Sequence, residues 1–158
     1  MITSHPKLSL LIASYNNSRL FEECYNSIRI QTVADYEVII VDDCSTDGSY
    51  EKIQQLTATD NQVKVFRNTI NRGVGFTKRR CVELSSSLIC AFLDPDDKLS
   101  VDAVEIILEA YRKSPGNVVA VYSRFYLCDE RLRIKKIFPG SRPVKNEDPL
   151  FSNVRLHV

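Results

Sequence analysis

Short, nearly continuous apolar runs alternate along this chain with segments of helical period. Leu8-Ser9-Leu10-Leu11-Ile12-Ala13 is the first run, of the kind expected for a strand buried on both faces. Tyr36 to Val41 and Leu88 to Leu93 repeat it, whereas Val63 to Phe66 is shorter and alternates, as suits a strand nearer a sheet edge. Val118 to Leu127 is a fifth candidate strand. Between these runs, Leu20, Cys24 and Ile28 recur on one helical face. Val101, Val104, Leu108 and Tyr111 mark the cleanest helix, with Ser100 as its N-cap and Leu99 and Val104 placed for a hydrophobic staple. Ser114-Pro115-Gly116 stops it. Asp47 is the expected cap of a helix running through Leu56, and Arg72 to Ser85 is expected to be helical after its glycines.

Strands and helices thus alternate with short connections, which predicts an α/β fold with a mainly parallel sheet and helices on both faces. After Leu127 the pattern weakens. Arg131 to Phe138 suits a strand pairing with the fifth, and Pro139 to Asp148 is loop-like. The expectation is a single domain over residues 1–158, with its core at 8–127 and a weakly patterned stretch at 128–158 that reads as cut short.

Bulk composition narrows the function classes. The 158 residues fit one domain. Lys and Arg number 21 against 20 acidic residues, a balance that gives no reason to expect a nucleic-acid or anionic-membrane surface. No apolar run approaches the roughly 20 residues that cross a bilayer, and the first residues lack the apolar core of a signal peptide. A soluble, cytoplasmic protein is expected. Five cysteines at 24, 44, 81, 90 and 128 show no CxxC spacing, which argues against both a disulfide framework and a zinc site. The only histidines, His5 and His157, lie near the termini, so a histidine-based triad is not expected.

In an open α/β sheet, ligands bind beyond the carboxyl ends of the strands. All four such ends are polar: Ser14-Tyr15-Asn16-Asn17, Asp42 to Asp47, Asn68 to Gly75, and Asp94-Pro95-Asp96-Asp97. Clustered carboxylates repel unless a cation neutralises them, and the last group offers hard oxygen ligands for Mg²⁺ or Mn²⁺. The competing reading is that these aspartates cap the helix that follows. Ser45 and Asp47 are good turn and cap residues, whereas Asp43 has no such local role and is placed to accept hydrogen bonds from a base N–H or a ribose hydroxyl. Tyr15 suits either stacking on a base or simple packing. Gly73-Val74-Gly75 with Lys78 can bring amides and a cation near phosphate, while Arg79 and Arg80 suit a solvated helix face. As a dinucleotide fingerprint this stretch fails, because it follows the third strand and the third glycine position is Lys78.

Taken in order, Leu8 to Asn17, Val38 to Asp47, Asn71-x-Gly73-x-Gly75 and Phe92-Leu93-Asp94-Pro95-Asp96-Asp97 resemble the family 2 glycosyltransferases of the Rossmann-like GT-A fold. The resemblance implies a nucleotide-diphospho-sugar donor, with UDP-sugars favoured, and a saccharide or lipid-linked acceptor. It implies that Ala13 and Tyr15 line the base, that Asp43 hydrogen-bonds it, and that Lys78 lies near the nucleotide. Asp96 would lie at the ribose or donor sugar, and Asp97 would hold Mg²⁺ or Mn²⁺. It implies inverting transfer from a chain at the inner face of the membrane through its partners. The catalytic base falls beyond the matched region, and Glu147 and Asp148 receive no role.

Three other readings remain. A donor-binding module or fragment would lack turnover, and the missing acceptor half favours it. A nucleotidyltransferase would show a Gly-rich basic loop after the first strand, where this chain has Ser14-Tyr15-Asn16-Asn17. A phospho-receiver places its acidic pair after the first strand, whereas here it follows the second.

Overall fold

The apolar runs become parallel strands. In the computed structural model, which describes residues 5–115, 126–129 and 133–137, the chain runs β1 (Leu8–Ser14), α1 (Phe21–Arg29), β2 (Tyr36–Asp42), α2 (Ser49–Thr57), β3 (Val63–Arg67), α3 (Val74–Leu84), β4 (Cys90–Phe92), α4 (Ala103–Lys113), β5 (Tyr126–Cys128) and β6 (Ile134–Ile137). The first four strands form one sheet in the order β3-β2-β1-β4, parallel throughout. As the alternating pattern of Val63 to Phe66 predicts, β3 is an edge.

Alternation along the strands assigns the faces. Leu11, Ile39 and Val41 pack with Cys81 of α3, joined by Ala13, Phe66, Leu84 and Cys90. On the opposite face Leu8, Leu10, Ile12, Val38 and Ile40 are equally buried. There α1 and α2 contribute Phe21, Cys24, Ile28 and Ile53, and the Tyr36 hydroxyl donates to the Ile28 carbonyl at 2.8 Å. Fully burying each such aliphatic side chain contributes about 1.5–3 kcal/mol, so the central strands β1 and β2 anchor the fold.

Several local expectations change. The cap of α2 is Gly48, while Asp47 stands one residue earlier and still accepts from the Ser49 N–H at 3.0 Å. The helix expected from Val101 begins at Ala103, and its first turn is held from a distance: Gln31 Oε1 accepts from the Val104 N–H at 2.9 Å. Among the described residues the fifth run does not join the parallel sheet, while its expected pairing with Arg131 to Phe138 is present. The described part of that run, β5, pairs antiparallel with β6 in a separate two-stranded sheet. The connection between them is too short for the crossover that parallel pairing needs. Residues 118–125 and 139–148, the Glu147-Asp148 pair included, lie outside the described residues. The chain divides into two compact units, Met1–Glu105 and Ile106–Val158; the parallel sheet belongs to the first, the β5–β6 pair to the second.

At the amino ends of the strands one carboxylate ties the α3–β4 connection to the sheet. Glu37 is buried and accepts from Ser9 Oγ at 2.7 Å, Lys64 Nζ at 2.9 Å and the Ser86 hydroxyl at 2.8 Å. Burial alone would raise its pKa, but the bonds from Ser9, Lys64 and Ser86 outweigh it and bring it to about 2. A folded-state value below the ordinary 4.5 means that this stabilisation is complete above 4.5 and fades as pH falls toward about 2. Glu37→Gln should therefore lower stability at neutral pH and flatten the acid limb of the stability curve, measured by urea unfolding at several pH values. An unchanged acid limb would remove Glu37 from this account.

Candidate functional site

The order β3-β2-β1-β4 sends successive connections in opposite directions from β1. α1 and α2 lie on one face, and α3 crosses on the other to reach β4. Such a switch point opens a crevice beyond the carboxyl ends of the diverging strands, the usual ligand position in open α/β sheets. A cavity of about 430 Å³ lies there. Ala13, Tyr15, Asp43, Lys78 and Asp96 all line it, with Asn17, Asn71, Gly73, Val74, Thr77 and Asp94 among the rest of its wall. Asp97 is in the adjoining turn, where its N–H donates to the Asp94 carbonyl at 3.0 Å.

Side chains lace the loops beyond β1 and β2 together. Asn16, in a left-handed conformation at φ 53°, donates its N–H to Ser45 Oγ at 2.9 Å, and its side-chain oxygen accepts from the Thr46 N–H. Ser49 Oγ and Asp47 accept from the N–H groups of Asn17 and Ser18. Asp42 is fully buried; it accepts from the Ser45 N–H at 3.0 Å and meets Arg67 Nε at 3.3 Å. Much of the Asp42-to-Asp47 motif is thus turn architecture.

Asp43 also has a local role that its sequence position hides. It is 3% exposed, and its Oδ1 accepts from Asn68 Nδ2 at 2.6 Å and the Arg72 N–H at 2.9 Å. Oδ2 accepts from the Gly73 N–H at 2.7 Å. Burial opposes ionisation here, but the bonds from Asn68, Arg72 and Gly73 prevail and hold the pKa below the usual carboxylate range. Gly73 adopts φ 84°, ψ 159°, a region essentially open only to glycine. The Gly73 amide, one of those expected near phosphate, is turned to Asp43 instead. With four acceptor positions and three donors, the carboxylate keeps one lone pair, on Oδ2.

Across the cavity, Lys78 Nζ pairs with Asp94 at 2.8 Å and lies 5.5 Å from the Phe92 ring centroid. Asp96 and Asp97 have no comparable cation among the described residues. Partial desolvation, then the charges of Asp96 and Asp94, push the Asp97 carboxyl above its ordinary range. No group of three metal-ligating side chains converges among the described residues. The donor set nonetheless fits a hard divalent cation that takes one or two carboxylates and fills its shell with phosphate and water. The Cys24 thiol beneath this turn is raised to about 12, by burial and then by Asp97, Asp96 and Asp94, so it stays a neutral packing group.

Arg79 pairs with Glu83 on the exposed side of α3. Arg80 does not share that solvated face: it is half-buried and donates to the Arg67 carbonyl at 3.1 Å and to Asn68 Oδ1. Asn68 and Thr77 carry no motif that singles them out, although Asn68 directly follows β3 at the ligand-bearing edge.

The sequence profile described as "Glycosyl transferase family 2" matches residues 9–154. Chondroitin synthase of Escherichia coli is 37% identical over 108 residues, 68% of this chain and 16% of that protein. The GalNAc(5)-diNAcBac-PP-undecaprenol beta-1,3-glucosyltransferase of Campylobacter jejuni is 31% identical over 114 residues, 72% of this chain and 37% of that one. The structure of S. aureus TarS 1-349 in complex with UDP-GlcNAc aligns with a TM-score of 0.59 at 26% identity, covering 67% of this chain and 30% of that one. The mannosyltransferase PcManGT of Pyrobaculum calidifontis, in complex with GDP-Man and Mn2+, shares the fold with a TM-score of 0.65 at 22% identity, covering 75% and 35%. This chain therefore spans well under half the length of the curated relatives it matches. The ordered motifs meet at one sheet edge and the family profile runs over most of the chain, so this protein belongs to glycosyltransferase family 2 and has its GT-A fold.

Proposed function

We propose that this protein transfers a sugar from a nucleotide-diphospho-sugar, with UDP-sugars favoured, to a hydroxyl of a saccharide or lipid-linked acceptor, with inversion and dependence on a divalent metal. The observation that carries the reading is the cavity itself, walled by Ala13, Tyr15, Asp43, Lys78 and Asp96 at the switch point of the sheet. Tyr15 and Ala13 bind the base, the free lone pair of Asp43 accepts from the nucleoside, and Asp96 faces the ribose or sugar. Asp97 holds Mg²⁺ or Mn²⁺; Mn²⁺, the ion in the Pyrobaculum complex, is the first to test. When bound, such an ion supplies Lewis-acid stabilisation of the departing diphosphate. Lys78 adds positive charge at the same end once it exchanges its partner Asp94 for phosphate.

The acceptor oxygen forms its bond to the anomeric carbon from the face opposite the diphosphate. The bond to the diphosphate oxygen breaks with its electron pair, and the hydroxyl proton passes to a carboxylate base. That base is not assigned to any described residue. No helix among the described residues is long and apolar enough to cross a membrane; work at the cytoplasmic face of the membrane would come through partners. The test is to incubate the protein with UDP-sugars, Mn²⁺ and saccharide acceptors and to read the product by NMR. A product of opposite anomeric configuration to the donor is expected, and a retained configuration would overturn the inverting mechanism. Donor binding with no transfer would favour the second reading, a donor-binding portion of a longer enzyme, which the coverage of its relatives supports.

A further inference from the structure

Asp43 does not hold its orientation alone. Asn68, 3% exposed, stands behind it with three of the four hydrogen-bonding positions of its amide engaged by neighbouring side chains. Its Nδ2 donates to Asp43 Oδ1 at 2.6 Å and to Thr77 Oγ1 at 3.1 Å, and its Oδ1 accepts from Arg80 Nη1. Thr77 in turn donates to the Gly73 carbonyl at 3.0 Å. The amide's orientation follows from its neighbours. A guanidinium only donates and a carboxylate only accepts, so the oxygen of Asn68 must face Arg80 and its nitrogen must face Asp43. Turned by half a rotation, the same amide would set a carbonyl oxygen against the Asp43 carboxylate and an NH₂ group against a cation.

We propose that Arg80 and Asn68 are positioning residues for nucleoside recognition: Arg80 locks the Asn68 amide, and the locked amide fixes the rotation of the Asp43 carboxylate, keeping the free lone pair of Oδ2 available at the cavity. The proposal rests on the donor-site reading of that cavity. Neither residue lines the cavity, so both act through Asp43. Removing the Arg80 donor leaves the Asn68 amide free to turn, and the carboxylate then loses its shortest side-chain bond. Asp43 keeps its two backbone donors, Arg72 and Gly73, so the loop stays attached while the carboxylate gains rotational freedom.

The test is UDP affinity in the presence of Mn²⁺ for the wild-type chain and for Arg80→Met, Arg80→Lys, Asn68→Ala and the double variant Arg80→Met/Asn68→Ala, with thermal midpoints to establish that each is folded. Arg80→Met should weaken UDP about tenfold, the size expected for losing one well-placed bond to a charged group. Arg80→Lys should recover most of that loss, because an ammonium can still donate to Asn68 Oδ1. Because Arg80 works through Asn68, the double variant should bind no more weakly than Asn68→Ala alone. Wild-type affinity in folded Arg80→Met, or losses that simply add in the double variant, would overturn the proposal. If Asn68→Ala fails to fold, the comparison of Arg80→Met with Arg80→Lys decides it. No UDP binding by the folded wild-type chain would overturn the donor-site reading, and this inference with it.

Discussion

Replacing Asp97 by alanine should abolish Mn²⁺-dependent UDP binding and leave the fold intact. The turn that carries Asp97 is fastened by its backbone N–H to the Asp94 carbonyl, a bond that alanine keeps. The carboxylate itself is crowded by Asp96 and Asp94, and this raises its pKa after desolvation has done so. Removing one of three like charges relieves repulsion, so the thermal midpoint should stay level or rise slightly. Ligation is different. Outer partners of metal ligands already cost 10- to 100-fold when removed, so losing a direct ligand should weaken UDP in Mn²⁺ by at least about 100-fold. In EDTA, variant and wild type should bind UDP equally weakly. Normal UDP and Mn²⁺ binding by Asp97→Ala would move the metal elsewhere.

Asp43→Asn should behave differently, because this residue serves both the fold and the site. The carboxylate accepts from Asn68, Arg72 and Gly73. An amide in its place offers one acceptor oxygen and turns an NH₂ group toward at least one of those donors. A buried donor left without an acceptor costs about 1–3 kcal/mol, so the thermal midpoint should fall. UDP affinity should fall with it by one to two orders of magnitude, about the effect of losing a charge-assisted hydrogen bond and the geometry of its loop. Thermal unfolding and UDP titration on the same preparations separate the two aspartates. Asp97→Ala lowers affinity alone, and Asp43→Asn lowers both affinity and stability. Full UDP affinity in a folded Asp43→Asn chain would remove Asp43 from nucleoside recognition.

How legible each element is in the sequence depends on what specifies it. β1 and β2 are read directly because both of their faces are buried, which forces near-continuous apolar runs. β4 is read too long: Leu88 is wholly exposed, and only Cys90–Phe92 pairs, beside β1 at the sheet's edge. The start of α4 is misread because its cap comes from Gln31, far away in the chain, whereas Ser100 has the right spelling for a local cap. For the fifth strand, the pairing with Arg131 to Phe138 is legible because that second run follows close behind in the chain, whereas an apolar run alone does not say which sheet it joins.

The cavity wall was legible for a geometric reason. In a parallel sheet every strand's carboxyl end reaches the same edge, so polar residues after Ser14, Asp42, Arg67 and Phe92 must converge. What lies behind that wall was not legible. Asn68 carries its meaning in the three side chains it touches, and Arg80 resembles any charged residue on a helix until its partners are known. For Asp43, the sequence hid the three donors supplied by a loop folded back from β3.

The measurement closest to the central claim is calorimetric titration of UDP into the folded chain, first with Mn²⁺ and then with EDTA. Saturable binding that appears with Mn²⁺ and disappears with EDTA is the predicted result, and a panel of nucleotide-sugars would then define the donor. A folded chain that binds neither UDP nor any nucleotide-sugar, with or without metal, would contradict the account.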